Sequence, residues 1–203
     1  MDNSEDLRVS SSPFKSSLWR VFCAIEIPED VRMRLGDHIR QLREAVPNAK
    51  ASWSRATSIH LTLKFFGNIE NESTGKISAA AAEVAQGASP FSISIAGNGV
   101  FPKHGAPRVL WIGIRDPSGN LTELQQRFEA ECVRRGFAKE EHAFRPHLTL
   151  ARLRNPQDAR ALAEIHKEMS FEVRAADVSE LLLIRSELRS EGSKYTVISR
   201  HEL

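Results

Sequence analysis

Arg145-Pro146-His147-Leu148-Thr149-Leu150-Ala151-Arg152 contains a tetrapeptide, His147-Leu148-Thr149-Leu150, that also stands at His60-Leu61-Thr62-Leu63, 87 residues earlier in a chain of 203. Side chains two apart on a β-strand share a face. Each copy therefore sends a His and a Thr one way and two Leu the other. The Leu pair can enter a core while the polar pair lines a cleft. Two such strands side by side would gather two imidazoles and two hydroxyls around one point. A single His on a half-buried strand is more often structural than chemical, but an identical second copy reverses that weighting. The unperturbed pKa of His lies nearest neutrality, so two of them suit a general acid and a general base. The two hydroxyls can donate to an anion. A metal site is the competing reading. Against it, neither copy brings a second His or a carboxylate at i+2 or i+4, and zinc usually takes three or four His, Cys or carboxylate ligands.

Around the motifs the chain alternates strands and helices. Trp19 to Ile25 reads as a strand. Pro28-Glu29-Asp30 opens a helix whose apolar face is Val31, Leu35, Ile39, Leu42 and Val46. His38 falls outside that set and reads as a solvated surface residue. Ile59 to Phe66 is the first motif strand, with Lys64 on the polar face of His60 if the strand is regular. Thr74 to Gln86 is an Ala-rich helix, Phe91 to Ile95 a strand, and Gly97 to Gly105 a loop without the Gly-Lys-Ser/Thr of a phosphate loop. Arg108 to Ile114 is a strand. The helix after Pro117-Ser118-Gly119 presents Leu121, Leu124, Phe128 and Cys132 on one face. The second motif strand starts at Pro146, and Asn155-Pro156 begins a helix to about Lys167. Strands at Phe171 to Val173, Leu181 to Arg185 and Tyr195 to Ser199 follow, with Glu187 to Lys194 as a hairpin loop. His166 and His201 read as incidental.

The two halves share one order: strand, helix, motif strand, helix, strand. Val21 precedes His60 by 39 residues, and Val109 precedes His147 by 38. The expected fold class is α+β, an internal duplication of a strand–helix–strand unit. It gives two lobes, each a sheet backed by helices, facing across a central cleft.

Composition narrows the function. The chain carries a formal net charge of +2 and 41% hydrophobic residues, enough for a sizeable core and too mildly basic to mark a nucleic-acid binder by charge alone. No apolar run reaches the length of a membrane span. Cys23 and Cys132 are the only cysteines and read as buried free thiols in a reducing compartment. Residues 1–17, with six serines and no apolar run before a cleavage site, are expected to be a disordered tail outside a domain of residues 18–203.

The residues now carry a resemblance. Arg20-Val21-Phe22-Cys23-Ala24-Ile25 followed by Pro28, Trp53 upstream of His60, His60-Leu61-Thr62-Leu63-Lys64-Phe65-Phe66-Gly67, Arg145 to Arg152, Leu183 to Leu188 and Tyr195 together resemble the two-histidine phosphoesterases. Within them the chain is similar to the bacterial RNA 2′,3′-cyclic phosphodiesterases, also called 2′-5′ RNA ligases. The resemblance implies a bilobal α+β duplication and metal-free, cofactor-free hydrolysis of a ribose 2′,3′-cyclic phosphate to a 2′-phosphate, with end-joining as the reverse of the same step. It makes His60 the proton donor, His147 the proton acceptor and Arg152 a phosphate contact. The partner implied is RNA with 2′,3′-cyclic phosphate ends, tRNA fragments among them, and the protein a cytoplasmic monomer without a membrane partner.

The residues fit that chemistry independently. Thr62, Thr149 and Arg152 can donate to oxygens whose charge grows in the transition state. Lys64 is a further substrate contact or a solvated charge at a strand end. Arg152, at i+5 from His147, has the wrong parity for a regular strand and needs a strand end or twist after Ala151. Trp53, Phe22 and Phe65 could stack on a base, with core packing the commoner role of each. Two other functions stay open: a phosphodiesterase for a small cyclic nucleotide or ADP-ribose cyclic phosphate, and an RNA-binding module without catalysis. Intact His and Thr at both motifs weigh against the second.

Overall fold

Leu61, Leu63, Leu148 and Leu150 are all buried, and both sheets assemble around the motif strands that carry them. The structure is a computed structural model and describes residues 17–190 and 192–203. The expected N-terminal tail therefore lies outside the described residues except for Ser17, whose carbonyl accepts from the Asn71 N–H. The strands are β1 (Leu18–Glu26), β2 (Ala51–Trp53), β3 (His60–Glu70), β4 (Phe91–Phe101), β5 (Val109–Arg115), β6 (His147–Leu153), β7 (Arg174–Val178), β8 (Glu180–Arg189) and β9 (Gly192–Glu202). The helices are α1 (Glu29–Ala45), α2 (Thr74–Gln86), α3 (Asn120–Arg134) and α4 (Pro156–Glu168). None of the described helices is long and apolar enough to cross a membrane.

Two antiparallel sheets result, ordered β3-β1-β8-β9 and β2-β6-β5-β4-β7. The duplication is visible in them. The first motif strand, β3, pairs with β1; the second, β6, pairs with β5. On the far side of β1 lies β8, and on the far side of β5 lies β4. The halves are nevertheless interlocked, because β4 comes from the first half of the chain and β8 from the second. Helices follow the same exchange. α2 packs on α3 and on β8 and β9, while α1 packs on α4, which lies on β4 and β6. One continuous apolar core runs beneath both sheets.

Local chemistry explains most boundaries. Pro28 precedes α1, and Glu29 and Asp30 occupy its first turn, where carboxylates suit the positive helix end. Gly136 takes a positive φ of 91° after α3 and stops it. Three expectations shift. Phe171 to Val173 is not a strand; pairing with β4 begins at Arg174. β4 continues through Gly97 to Phe101, so the expected loop shortens. β8 and β9 stay paired to Arg189 and Gly192, so most of the expected Glu187–Lys194 loop is strand.

Buried histidines are the larger correction. His38 is not a surface residue, nor His166 incidental: they are 5% and 0% exposed. Their rings join α1 to α4, with His38 Nε2 3.0 Å from His166 Nδ1. His166 Nε2 lies 3.0 Å from the Trp111 carbonyl, which can only accept, so Nε2 carries the proton. His166 Nδ1 then accepts, and His38 Nε2–H donates to it. Cys23 and Cys132 are both buried and unbridged, as their apolar neighbours lead one to expect.

Candidate active site

Each motif strand carries the same irregularity. Thr62 pairs with Ala24 and Lys64 with Cys23, so Leu63 is an extra residue in β3. Thr149 pairs with Trp111 and Ala151 with Leu110, so Leu150 is an extra residue in β6. These are β-bulges, which reverse the alternation of the residues that follow, in β3 until a second register shift at Phe66. Before the bulge, His60 and Thr62, and likewise His147 and Thr149, share the face away from the main core. After it, the residue at i+5 rejoins that face: Phe65 in β3 and Arg152 in β6. The bulge therefore supplies the change of parity that Arg152 requires. It also takes Lys64 off the face.

Lys64 is consequently misplaced by the regular-strand expectation. It is 6% exposed, and its Nζ donates to Glu129 Oε1 at 2.9 Å, Glu129 Oε2 at 2.8 Å and the Ala138 carbonyl at 2.9 Å. All three ammonium donors are used, tying β3 to α3 and the segment after it, and none is left for a ligand.

The two imidazoles are held alike. His60 Nδ1 lies 2.9 Å from the Ser58 carbonyl and His147 Nδ1 lies 2.7 Å from the Arg145 carbonyl, each two residues back. A carbonyl only accepts, so each Nδ1 carries a proton and each Nε2 is left for chemistry. The His60 ring stacks on Phe22 at 4.5 Å between centroids and 18° between planes, with the Tyr195 ring edge-on at 5.3 Å. The His147 ring meets Phe101 edge-on at 5.0 Å and Trp111 at 6.4 Å. Packing and one hydrogen bond thus fix each ring in rotation and tautomer. The hydroxyls of Thr62 and Thr149 are half-buried and have no protein hydrogen-bond partner among the described residues.

Burial pushes both imidazoles below the usual His value, and the carbonyl bonds pull the other way. The Arg152 guanidinium lowers His147 further. The two sites are therefore not electrostatically equivalent: His147 has a cation biasing it toward the neutral form, and His60 has none of comparable effect. Among the described residues no three His, Cys, Asp or Glu side chains converge as a metal-ligand set.

The other aromatic candidates divide. Phe22 is buried at 3% exposure and supports His60 from below. Phe65 is 42% exposed on the cleft face, with the Arg20 guanidinium 4.4 Å over its ring. Trp53 packs against the main core. Sequence reading missed Tyr195, Phe101 and Trp111 as the walls of the two His sites, because none lies within a motif. The pairing of β5 with β6, which sets Trp111 opposite Thr149, is the signal that places Trp111.

Comparison with known proteins agrees with this geometry. Residues 28–189 match the family model of the 2′-5′ RNA ligase superfamily. The chain is 35% identical over 180 residues to the RNA 2′,3′-cyclic phosphodiesterase of Methanothermobacter thermautotrophicus, covering 87% of this chain and 95% of that one. It is 32% identical over 153 residues to the protein of the same name from Aquifex aeolicus, covering 74% and 81%. Among solved structures, E. coli LigT complexed with 3′-AMP superposes with a TM-score of 0.70 at 25% identity over 92% of this chain and 98% of that one. With a family model spanning most of its length and its two His-Leu-Thr-Leu strands set in equivalent places of two related sheets, the chain belongs to the 2′-5′ RNA ligase superfamily.

Proposed function

We propose that the protein is an RNA 2′,3′-cyclic phosphodiesterase that opens the cyclic phosphate to a 2′-phosphate by metal-free acid–base catalysis between His60 and His147. One observation carries the reading: both imidazoles are anchored through Nδ1 to a carbonyl, leaving Nε2 and an unpartnered Thr hydroxyl on the same face of each motif strand. A site built only to bind would not need two proton carriers held in one tautomer.

The step balances as follows. Water attacks phosphorus and gives a proton to Nε2 of neutral His147. The bond from phosphorus to O3′ breaks. The departing O3′ takes a proton from Nε2 of protonated His60, and phosphorus stays on O2′. The Arg152 charge favours neutral His147, which suits the base. Thr62, Thr149 and Arg152 donate to the non-bridging oxygens as their charge grows, preorganised by strand and bulge rather than recruited. A ribose 5′-hydroxyl replacing water in the same step gives a 2′–5′ linkage, which is how one site would also join ends.

Leaving-group chemistry tests the roles. A ribose alkoxide needs a proton to depart, and p-nitrophenolate does not. His60→Ala is expected to lose most activity on the cyclic phosphate and recover much of it on a p-nitrophenyl phosphodiester. His147→Ala is expected to stay slow on both. Rescue of His147→Ala alone would reverse the assignment, and rescue of neither would reduce both His to phosphate holders.

A further inference from the structure

The two halves of the chain differ beside the second motif. Thr62 lies opposite Ala24, and its counterpart Thr149 lies opposite Trp111. A small residue in the first half is thus a large indole in the second, on the cleft face beside His147. Room for it comes from β4. Gly99 is the cross-strand neighbour of Trp111, and a Cβ there would stand 2.2 Å from the Trp111 ring. The indole makes no hydrogen bond of its own: Nε1 is buried and has no partner among the described residues. Its place therefore rests on packing and on the backbone that carries it.

That backbone is held from the core side. His166, fully buried on α4, donates from Nε2 to the Trp111 carbonyl at 3.0 Å, and the Gly99 backbone bonds to the same ring. Asn98, next along β4, donates from Nδ2 to the His166 and Met169 carbonyls at the end of α4. His38 holds the other ring nitrogen at 3.0 Å. One imidazole so joins α1, β4 and β5 beneath the Gly99–Trp111 pair. The first site is supported differently. Phe22, on which His60 stacks, packs in its own apolar cluster with Ala24, Leu182 and Ile184. Among the described residues, the titratable or charged groups that face the two rings are His38, from α1, against His166, and Arg152, from β6, against His147.

We infer that His166 is a positioning residue for His147: by holding the Trp111 backbone it fixes the indole that walls the base on the cleft side. The inference rests on the reading of His147 as the base. Without the Nε2–H donor, the Trp111 carbonyl is left buried and unpaired, and β5 can satisfy it only by shifting or by admitting water. The indole moves with its strand, since it has no polar bond to keep it back. Two effects on His147 result. Its Nε2 leaves its place relative to the attacking water, so kcat falls. Its ring is also better hydrated, so its pKa rises from the depressed value toward 6.5. His60, walled by Phe22 and Tyr195, keeps its own.

The test follows the His147 and His60 ring signals by NMR across pH, alongside kcat and KM on the cyclic phosphate. His166→Asn places its amide near Nδ1, so it reaches His38 but not the Trp111 carbonyl. It is expected to raise the His147 titration midpoint and leave that of His60 unmoved. It should lower kcat on the order of tenfold to a hundredfold with KM little changed, and move only the acid limb of the pH profile upward. His166→Gln, whose amide can donate from near the place of Nε2, is expected to restore the wild-type behaviour. Gly99→Ala, which displaces the indole from the cleft side with His166 intact, is expected to reproduce the His166→Asn signature. If His166→Asn does not fold, His166→Leu, which buries no unpaired polar side chain, takes its place. A His147 midpoint unmoved in His166→Asn or in Gly99→Ala would overturn the inference. So would an equal shift of His60, the mark of a merely structural role, or a loss in His166→Gln as large as in His166→Asn. If the wild type does not turn over the cyclic phosphate but His166→Asn still shifts His147 alone, the positioning stands and the catalytic reading falls. If turnover is full and His147 does not respond, the catalytic reading stands and the positioning falls.

Discussion

Replacing Lys64 by Met isolates what the bulge at Leu63 does. Lys64 and Glu129 form an ion pair whose side chains are 4% and 14% exposed, and Glu129 also accepts from the Glu140 N–H at 2.7 Å. Removing the ammonium leaves the carboxylate largely desolvated with one backbone donor. Breaking a buried pair from one side costs about 3–5 kcal/mol, whereas exchanging both partners for apolar residues of similar volume is near neutral or better. For a domain of this length 1 kcal/mol moves Tm by about 2–4 °C, so Lys64→Met is expected to lower Tm by about 6–20 °C. Lys64→Met/Glu129→Leu is expected to recover most of that loss. Thermal unfolding by circular dichroism measures both. Below the transition, kcat/KM on the cyclic phosphate is expected to stay within about threefold of wild type in either variant, since a residue off the reacting face contributes little to transition-state binding. A variant of wild-type stability that has lost a hundredfold in kcat/KM would place Lys64 on the substrate and refute the parity argument.

Four further outcomes follow from the site and from the buried His38–His166 pair. Thr62→Ala and Thr149→Ala are each expected to reduce kcat/KM by a factor corresponding to about 2–4 kcal/mol while leaving Tm unchanged, because their hydroxyls have no protein partner to lose. The free enzyme should give a bell in kcat/KM with its maximum on the acid side of 6.5, since activity rises as the base deprotonates, falls as the acid deprotonates, and burial lowers both pKa values. Arg152→Gln removes the cation that lowers His147, so beyond losing rate it should move the acid limb to higher pH. Stability should drop at low pH through the buried pair: His38 falls from 6.5 unfolded to about 4 folded, so its contribution is complete above 6.5 and lost as pH falls toward 4, on the order of 3 kcal/mol. His38→Gln should flatten Tm against pH over that interval.

How much of this the sequence disclosed depends on the range of the forces involved. The repeated tetrapeptide, the alternation and the near-equal spacings are local, and they yielded the duplication, the two sheets and the gathering of His and Thr on one face of each motif strand. The stripe of α1 was local too, yet it was read one residue short. His38 stands three after Leu35 and four before Leu42, on the buried face, and only its polarity suggested solvent. Its partner His166 is 128 residues away, and no periodicity announces a bond of that reach. The same holds for Lys64, whose face is decided by Glu129 on α3. Neither bulge is marked by Gly or Pro at Leu63 or Leu150; the partner strand's register creates it. The exchange of β4 and β8 between sheets is likewise a matter of long-range pairing, to which strand propensity is blind.

The central claim is that His60 and His147 open a ribose 2′,3′-cyclic phosphate between them, without a metal, at the O3′ side. Incubating an RNA oligonucleotide ending in 2′,3′-cyclic phosphate with the protein in excess EDTA, and mapping the product end, tests it most directly. The expected result is full-rate conversion to a 2′-phosphate with a free 3′-hydroxyl. Activity lost in EDTA and restored by one divalent ion, or a 3′-phosphate as the product, would contradict it.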